Sequence, residues 1–272
     1  MAEGFRVRRR AVRNRFWPGL ALGVTAYAAM AAAQQAGGTT RESTAALVED
    51  LVAANRILVD QGVLDGYGHV SARHDADPNR YLLSRSLAPE LVTSSDVLEF
   101  DLDSRPIDPR GRAAYREAFI HGEIYRARPD VMAVVHTHAP PLIPFSTSVV
   151  PLRPMYHMSA FVGEGVPVFD IRRVAGATDM LVTNAALGRA LAETLGRRPA
   201  ALMRGHGAAV VASSLPVVVG RSVYLKMNAE LQLQAVALGG PIEFLSDDEA
   251  RLAAPLDGYE RAWELWKRKV SQ

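Results

Sequence analysis

Three of the chain's seven histidines stand where they could hold one metal ion. His136 and His138 are two apart in the β-prone run Val134-Val135-His136-Thr137-His138. On a strand, residues i and i+2 face the same way, so both imidazoles reach one point. His206 lies between Gly205 and Gly207 at the end of another strand candidate, where glycine permits a tight turn and close backbone approach. Three neutral imidazoles leave coordination positions open, the pattern of a catalytic rather than a structural site. An H-x-H pair alone arises often by chance, so the residues around it matter. Glu117 and His121 are four apart on a predicted helix over 113–128 and would share a face. A carboxylate beside a metal is a fourth ligand or a general base. Glu123, Arg126 and Arg128 on that helix read as solvated charges.

The elements that must position these groups alternate between the two periodicities. Apolar residues at Leu47, Val48, Leu51, Ala54, Leu58 and Val59 predict an amphipathic helix over 45–63. Strands are expected at 69–73, 81–84, 97–101, 131–138, 166–169, 200–204 and 208–212, with helices over 184–195 and 215–238. Mixed helices and short strands without repeats suggest layered α/β architecture. At 272 residues, with 49% apolar and 22% charged residues, the chain can bury a large core. One domain is expected, roughly 42–250 within the segment 37–272. Beyond it runs a C-terminal tail whose Trp263 and Trp266 would pack on a neighbouring subunit.

Composition narrows the chemistry. There is no cysteine, so disulfides, thiolate metal sites and a Cys nucleophile are excluded. The pI near 9.0 owes much to Arg6, Arg8, Arg9, Arg10, Arg13 and Arg15. The rest of the chain would be net acidic, which is no nucleic-acid footprint. Residues 1–36 resemble an export leader: arginines, an apolar stretch over 17–33, then small residues at Ala29, Ala31 and Ala33. The rival readings are an uncleaved membrane anchor and an upstream start on a cytoplasmic enzyme. The location is accordingly cytoplasmic, or periplasmic if the leader is genuine.

In order and spacing, these pieces resemble the class II aldolase/adducin family. The matching runs are Glu117-Ala118-Phe119-Ile120-His121, Ala133-Val134-Val135-His136-Thr137-His138 and Arg204-Gly205-His206-Gly207. Arg128-Pro129-Asp130 and Gly68-His69-Val70-Ser71-Ala72-Arg73 resemble two more of the family's elements. The likeness covers about residues 45–240. It implies an α/β/α sandwich around a largely antiparallel central sheet, and a C4 homotetramer with active sites at subunit interfaces. It also implies one Zn²⁺ or Mn²⁺ per subunit, held by His136, His138 and His206, with Glu117 as acid/base and at times a ligand.

The departures from the family's sugar-phosphate aldolases point to the substrate. Their small phosphate-binding donors give way to Gly66-Tyr67-Gly68-His69, Leu83-Ser84-Arg85-Ser86 and Tyr115-Arg116. Arg85 and Arg116 could fork onto carboxylates, and Tyr67 and His69 could flank a planar ring. This pattern resembles the family's decarboxylase branch, which acts on hydroxylated aromatic or pyridine dicarboxylates. The implied function is metal-dependent decarboxylation of an aromatic acid in a catabolic role, through a carbanion protonated by Glu117 or by a water that Glu117 or His69 positions. The alternatives are an aldolase or epimerase on a small hydroxy-carbonyl substrate, and a non-catalytic adducin-like scaffold. A scaffold would not need all four of the metal-site groups.

Overall fold

The computed structural model describes residues 44–254 and 258–271, with Met1. The leader expected over 1–36 lies outside the described residues. Seven strands form one sheet: β1 (His69–Arg73), β2 (Arg80–Ser84), β3 (Val97–Asp101), β4 (Ala133–Thr137), β5 (Val168–Phe169), β6 (Ala200–Met203) and β7 (Gly207–Ala212). Their order is β3-β2-β1-β4-β7-β6-β5, and every neighbouring pair is antiparallel except β5 with β6.

The strands are apolar on both faces, because helices cover both. Val70, Ala72, Leu82, Val135, Leu202 and Val210 point to one side. There they meet helix α1 (residues 44–60), helix α4 (Leu215–Leu238) and helix α5 (Glu260–Val270). The alternate residues Tyr81, Leu83, Val134, Met203, Ala209 and Val211 point to the other side. Helices α2 (Ala118–Ala127) and α3 (Ala185–Leu195) close that side. The expected α/β/α sandwich is therefore present. Each fully buried Leu or Val in these layers contributes roughly 1.5–3 kcal/mol.

Helix ends follow local chemistry. Asn184 and Ser214 cap α3 and α4 by accepting from the Leu187 and Val217 amides. Both helices stop at glycines of positive φ, Gly196 and Gly239.

Two expectations are corrected. The helix expected over 113–128 begins only at Ala118, and Glu117 stands just before it. Tertiary bonds hold the preceding residues out of the helix. The Ser86 amide donates to the Ala113 carbonyl at 2.7 Å, and the Tyr115 hydroxyl donates to the Leu87 carbonyl at 2.5 Å. The C-terminal tail, expected to pack on a neighbouring subunit, is instead α5, part of the chain's own core. Trp263 and Trp266 are buried there, the second beside Tyr224 of α4. Lys267 and Lys269 reach Asp50 and Asp60 of α1 at 2.5 and 2.6 Å. The domain thus runs past residue 250.

Candidate active site

The sheet's register assembles the site. His69 of β1 lies directly opposite His136 of β4, on the face that α2 covers. His138 stands one residue past the end of β4. His206 comes from the turn joining β6 to β7. Gly205 gives that turn its positive φ of 64°. Gly207 gives it closeness: a Cβ built there would lie 1.9 Å from the Thr137 carbonyl oxygen. The two glycines thus do different things, and both bring His206 against the end of β4.

The three rings converge through Nε2. His138 Nε2 lies 2.9 Å from His136 Nε2 and 3.1 Å from His206 Nε2. On the far side of two rings, Nδ1 faces a backbone carbonyl: Ala208 at 3.2 Å from His136, Met180 at 3.1 Å from His206. A carbonyl only accepts, so each Nδ1 carries the proton and each Nε2 presents a lone pair to the centre. His138 Nε2 stands between these two lone pairs, and outer carbonyls of this kind are what orients metal-binding histidines. Glu117 completes the cluster. Its Oε2 lies 3.5 Å from His206 Nε2 and 3.7 Å from His136 Nε2, while Oε1 accepts from the Val182 amide at 2.8 Å. One ligand atom from each of the four residues falls within 4.8 Å of the others. The donor set fits a borderline divalent ion.

Electrostatics agree with that fit. Burial pushes the pKa values of His136 and His138 down, with the neighbouring imidazoles adding to the effect. Both rings are therefore neutral and able to bind metal. Burial raises the Glu117 carboxyl, opposed by His206 and the Val182 amide.

One wall of the site is aromatic. The His69 ring lies 4.5 Å from Tyr115, 4.8 Å from His121 and 5.1 Å from His136. His69 Nδ1 meets His121 Nε2 at 2.7 Å. Tyr67 is exposed at the rim, its ring 6.5 Å from His138. Arg116 is exposed and loosely paired with Asp179 at 3.4 Å. Arg85 is held differently, with Nε on Asp96 at 2.6 Å. The structure therefore gathers His69, Glu117, His136, His138 and His206 closely, leaves Tyr67 and Arg116 at the margin, and commits Arg85 to an ion pair. A cleft of about 750 Å³ beside Arg128, Phe161 and Arg197 lies at the other end of β4 and includes none of them.

Sequence reasoning missed some residues. Ser71 and Tyr125 stand behind His69, and the signal was available: Ser71 shares a strand face with His69, and Tyr125 shares a helix face with His121. Tyr115, whose ring packs at a tilt against His69, was visible only as a departure from the aldolases. The Met180 carbonyl and the Val182 amide left no signal, because backbone groups do not depend on residue type.

The α/β/α layer fold thus gathers three imidazoles and a carboxylate, a set that could hold a metal ion, at the end of a central strand. The profile of the Class II Aldolase and Adducin N-terminal domain matches residues 49–233, and the chain belongs to that family. It is 38% identical over 248 residues to decarboxylase tropJ of Talaromyces stipitatus, covering 82% of this chain and 93% of that protein. A 3,4-dihydroxyphthalate decarboxylase of Arthrobacter keyseri is 29% identical, with 82% and 92% covered. Among solved structures, L-fuculose 1-phosphate aldolase of Glaciozyma antarctica superposes with a TM-score of 0.69 at 24% identity, covering 85% of this chain and 89% of that one. That likeness is one of fold. Decarboxylase and aldolase relatives together indicate an enzyme of the lyase type.

Proposed function

We propose that the protein is a divalent-metal-dependent decarboxylase of a hydroxylated aromatic acid, with Zn²⁺ or Mn²⁺ on His136, His138 and His206. The observation that carries this reading is the convergence of three imidazole Nε2 atoms, two of them on rings whose Nδ1 faces a carbonyl. The relatives named as decarboxylases support the choice of reaction.

A bound divalent ion supplies Lewis acidity to an oxygen beside the reacting carbon, stabilising the charge left there. The chain's own groups do the rest. The bond from ring carbon to carboxylate carbon breaks, its electron pair stays on the ring, and CO₂ departs. Glu117 delivers the proton that the ring carbon needs: Oε1 is anchored on the Val182 amide, so Oε2 is the oxygen aimed into the cluster. His69 and Tyr115 form a wall against which a planar ring can lie. Arg116, beside Glu117 and loosely paired, is the cation to meet a second carboxylate. Arg85, fixed on Asp96, shapes the Tyr115 side of the site.

Exposed apolar groups near the turn of His206 and at the rim, Met180 and Tyr67, suit a homotetramer whose sites lie at subunit interfaces. Light scattering would give the oligomeric mass.

The deciding experiment measures CO₂ release from hydroxyphthalates, hydroxybenzoates and hydroxypyridine dicarboxylates by metal-loaded protein. Aldol cleavage of sugar phosphates is assayed beside it. Release of CO₂ from an acid with a hydroxyl ortho to its carboxylate is expected. Sugar-phosphate cleavage with no CO₂ from any aromatic acid would replace the decarboxylase with the aldolase reading.

A further inference from the structure

His69 heads a buried chain of four side chains, and the three behind it, His121, Ser71 and Tyr125, take no part in the reaction above. His69 Nδ1 meets His121 Nε2 at 2.7 Å, His121 Nδ1 meets Ser71 Oγ at 2.6 Å, and Ser71 Oγ meets the Tyr125 hydroxyl at 2.8 Å. All four residues are buried, and among the described residues no carboxylate bonds to either ring. Burial pushes the His121 pKa down to about 3. Each link at 2.6–2.8 Å holds a single hydrogen, so at every contact one atom donates and the other accepts.

The direction of the chain follows from counting hydrogens. Among the described residues, the Tyr125 hydroxyl meets Ser71 Oγ and the Val134 amide; an amide only donates, so the hydroxyl's own hydrogen has Ser71 as its acceptor. Ser71 Oγ bonds to Tyr125 and to His121. If His121 donated to Ser71, two hydroxyl hydrogens would share a single remaining link, and one would be buried without an acceptor. That is the costly arrangement that folded proteins avoid. Running the other way, every hydrogen is placed: Tyr125 donates to Ser71, Ser71 to His121 Nδ1, and His121 Nε2–H to His69 Nδ1. His69 then keeps its own proton on Nε2, on the ring edge away from His121, in a ring centred 5.1 Å from that of His136.

We propose that Tyr125, Ser71 and His121 form a one-way hydrogen-bond chain that locks His69 as a donor to an anionic oxygen of the substrate. Building on the proposed function, this gives His69 its part: it cannot act as a base, and it holds the carboxylate or phenolate of an aromatic acid against the metal site. Such a donor is preorganised, because turning the ring over would break the bond to His121. The other three are positioning residues, acting through His69 without touching substrate.

The test is a long-range ¹H–¹⁵N correlation spectrum of the full chain, labelled with ¹⁵N-histidine and loaded with zinc. The expected His69 signals are a protonated Nε2 and a bare, accepting Nδ1. Ser71→Ala removes the donor to His121, so the single His69 form should give way to a mixture. With an aromatic acid substrate, kcat should then fall about 10–100-fold, less than the loss of a whole donor can cost, while KM and zinc content stay near wild type. Ser71→Thr, which keeps the hydroxyl, should restore both the spectrum and kcat. A wild-type His69 with its proton on Nδ1 overturns the proposal, as does a Ser71→Ala variant unchanged in spectrum and kcat. If no aromatic acid releases CO₂ yet His69 carries its proton on Nε2, the chain stands and only the decarboxylase reading falls.

Discussion

Gly205 and Gly207 flank His206, and replacing each by alanine should have opposite characters. At Gly205 the obstacle is conformational: φ is 64°, but a Cβ would meet nothing closer than 3.8 Å. The expected cost is that of placing a non-glycine residue in the left-handed region, about 1–2 kcal/mol. At Gly207 the obstacle is steric. The added carbon would sit 1.9 Å from the Thr137 oxygen, 2.9 Å from the Thr137 carbonyl carbon and 3.1 Å from the Cα of His138, all rigid backbone. Real Cβ contacts do not fall below 3.0 Å, so β4 and β7 must part by about 1.1 Å (3.0 − 1.9). That displacement falls between His138 and His206, whereas metal–ligand distances tolerate only about ±0.2 Å. Overpacking of this kind costs about 1–3 kcal/mol of stability. Metal affinity should drop about 10–100-fold or more, the range seen when a site's supporting shell is disturbed. Competition with a calibrated chelator measures the affinity, and urea unfolding of metal-free protein measures the stability. Similar stability losses in both variants with affinity lost only in Gly207→Ala is the expected result. Wild-type metal affinity in Gly207→Ala would refute the claim that the β4–β7 approach sets the site.

Glu117→Gln keeps the shape but cannot exchange a proton, so turnover should fall roughly 10²–10⁴-fold with a much smaller change in KM; near-normal turnover in steady-state assays would move the proton elsewhere. His121 links stability to pH, since its pKa falls from 6.5 to about 3 on folding. Below 6.5 the unfolded chain binds a proton that the folded chain refuses. The stabilisation is therefore complete above 6.5 and declines toward pH 3, by up to about 1.4 kcal/mol per pH unit. Urea unfolding against pH should show that steepness reduced in His121→Gln, and parallel curves would contradict it. Trp263→Ala should cost about 3–5 kcal/mol, as for a large core side chain. The loss should not depend on protein concentration, whereas a tryptophan serving a subunit contact would make it do so.

Much of this architecture was legible because it is local. β1, β3 and α4 fall where period-two and period-3.6 patterns put them. The pairing of His136 with His138 needs only the alternation of a strand, and the Gly-His-Gly run announces a tight approach to a backbone before any partner is known. What was not legible depends on who lies opposite. Glu117 has a helical sequence around it and still sits outside the helix, because the loop over 85–87 captures residues 113 and 115 by backbone and hydroxyl bonds. Arg85 and Arg116 look alike as forked cations. The turn before β3 hands Asp96 to Arg85, through both its side chain and its backbone carbonyl, and leaves Arg116 at the margin. That is the physical reason to weigh the two arginines unequally: the energy of an ion pair already made inside the chain must be overcome before Arg85 can greet a substrate, whereas Arg116 at 3.4 Å from an exposed Asp179 has little to give up. Of the two, Arg116 is the one whose loss should weaken binding of a diacid.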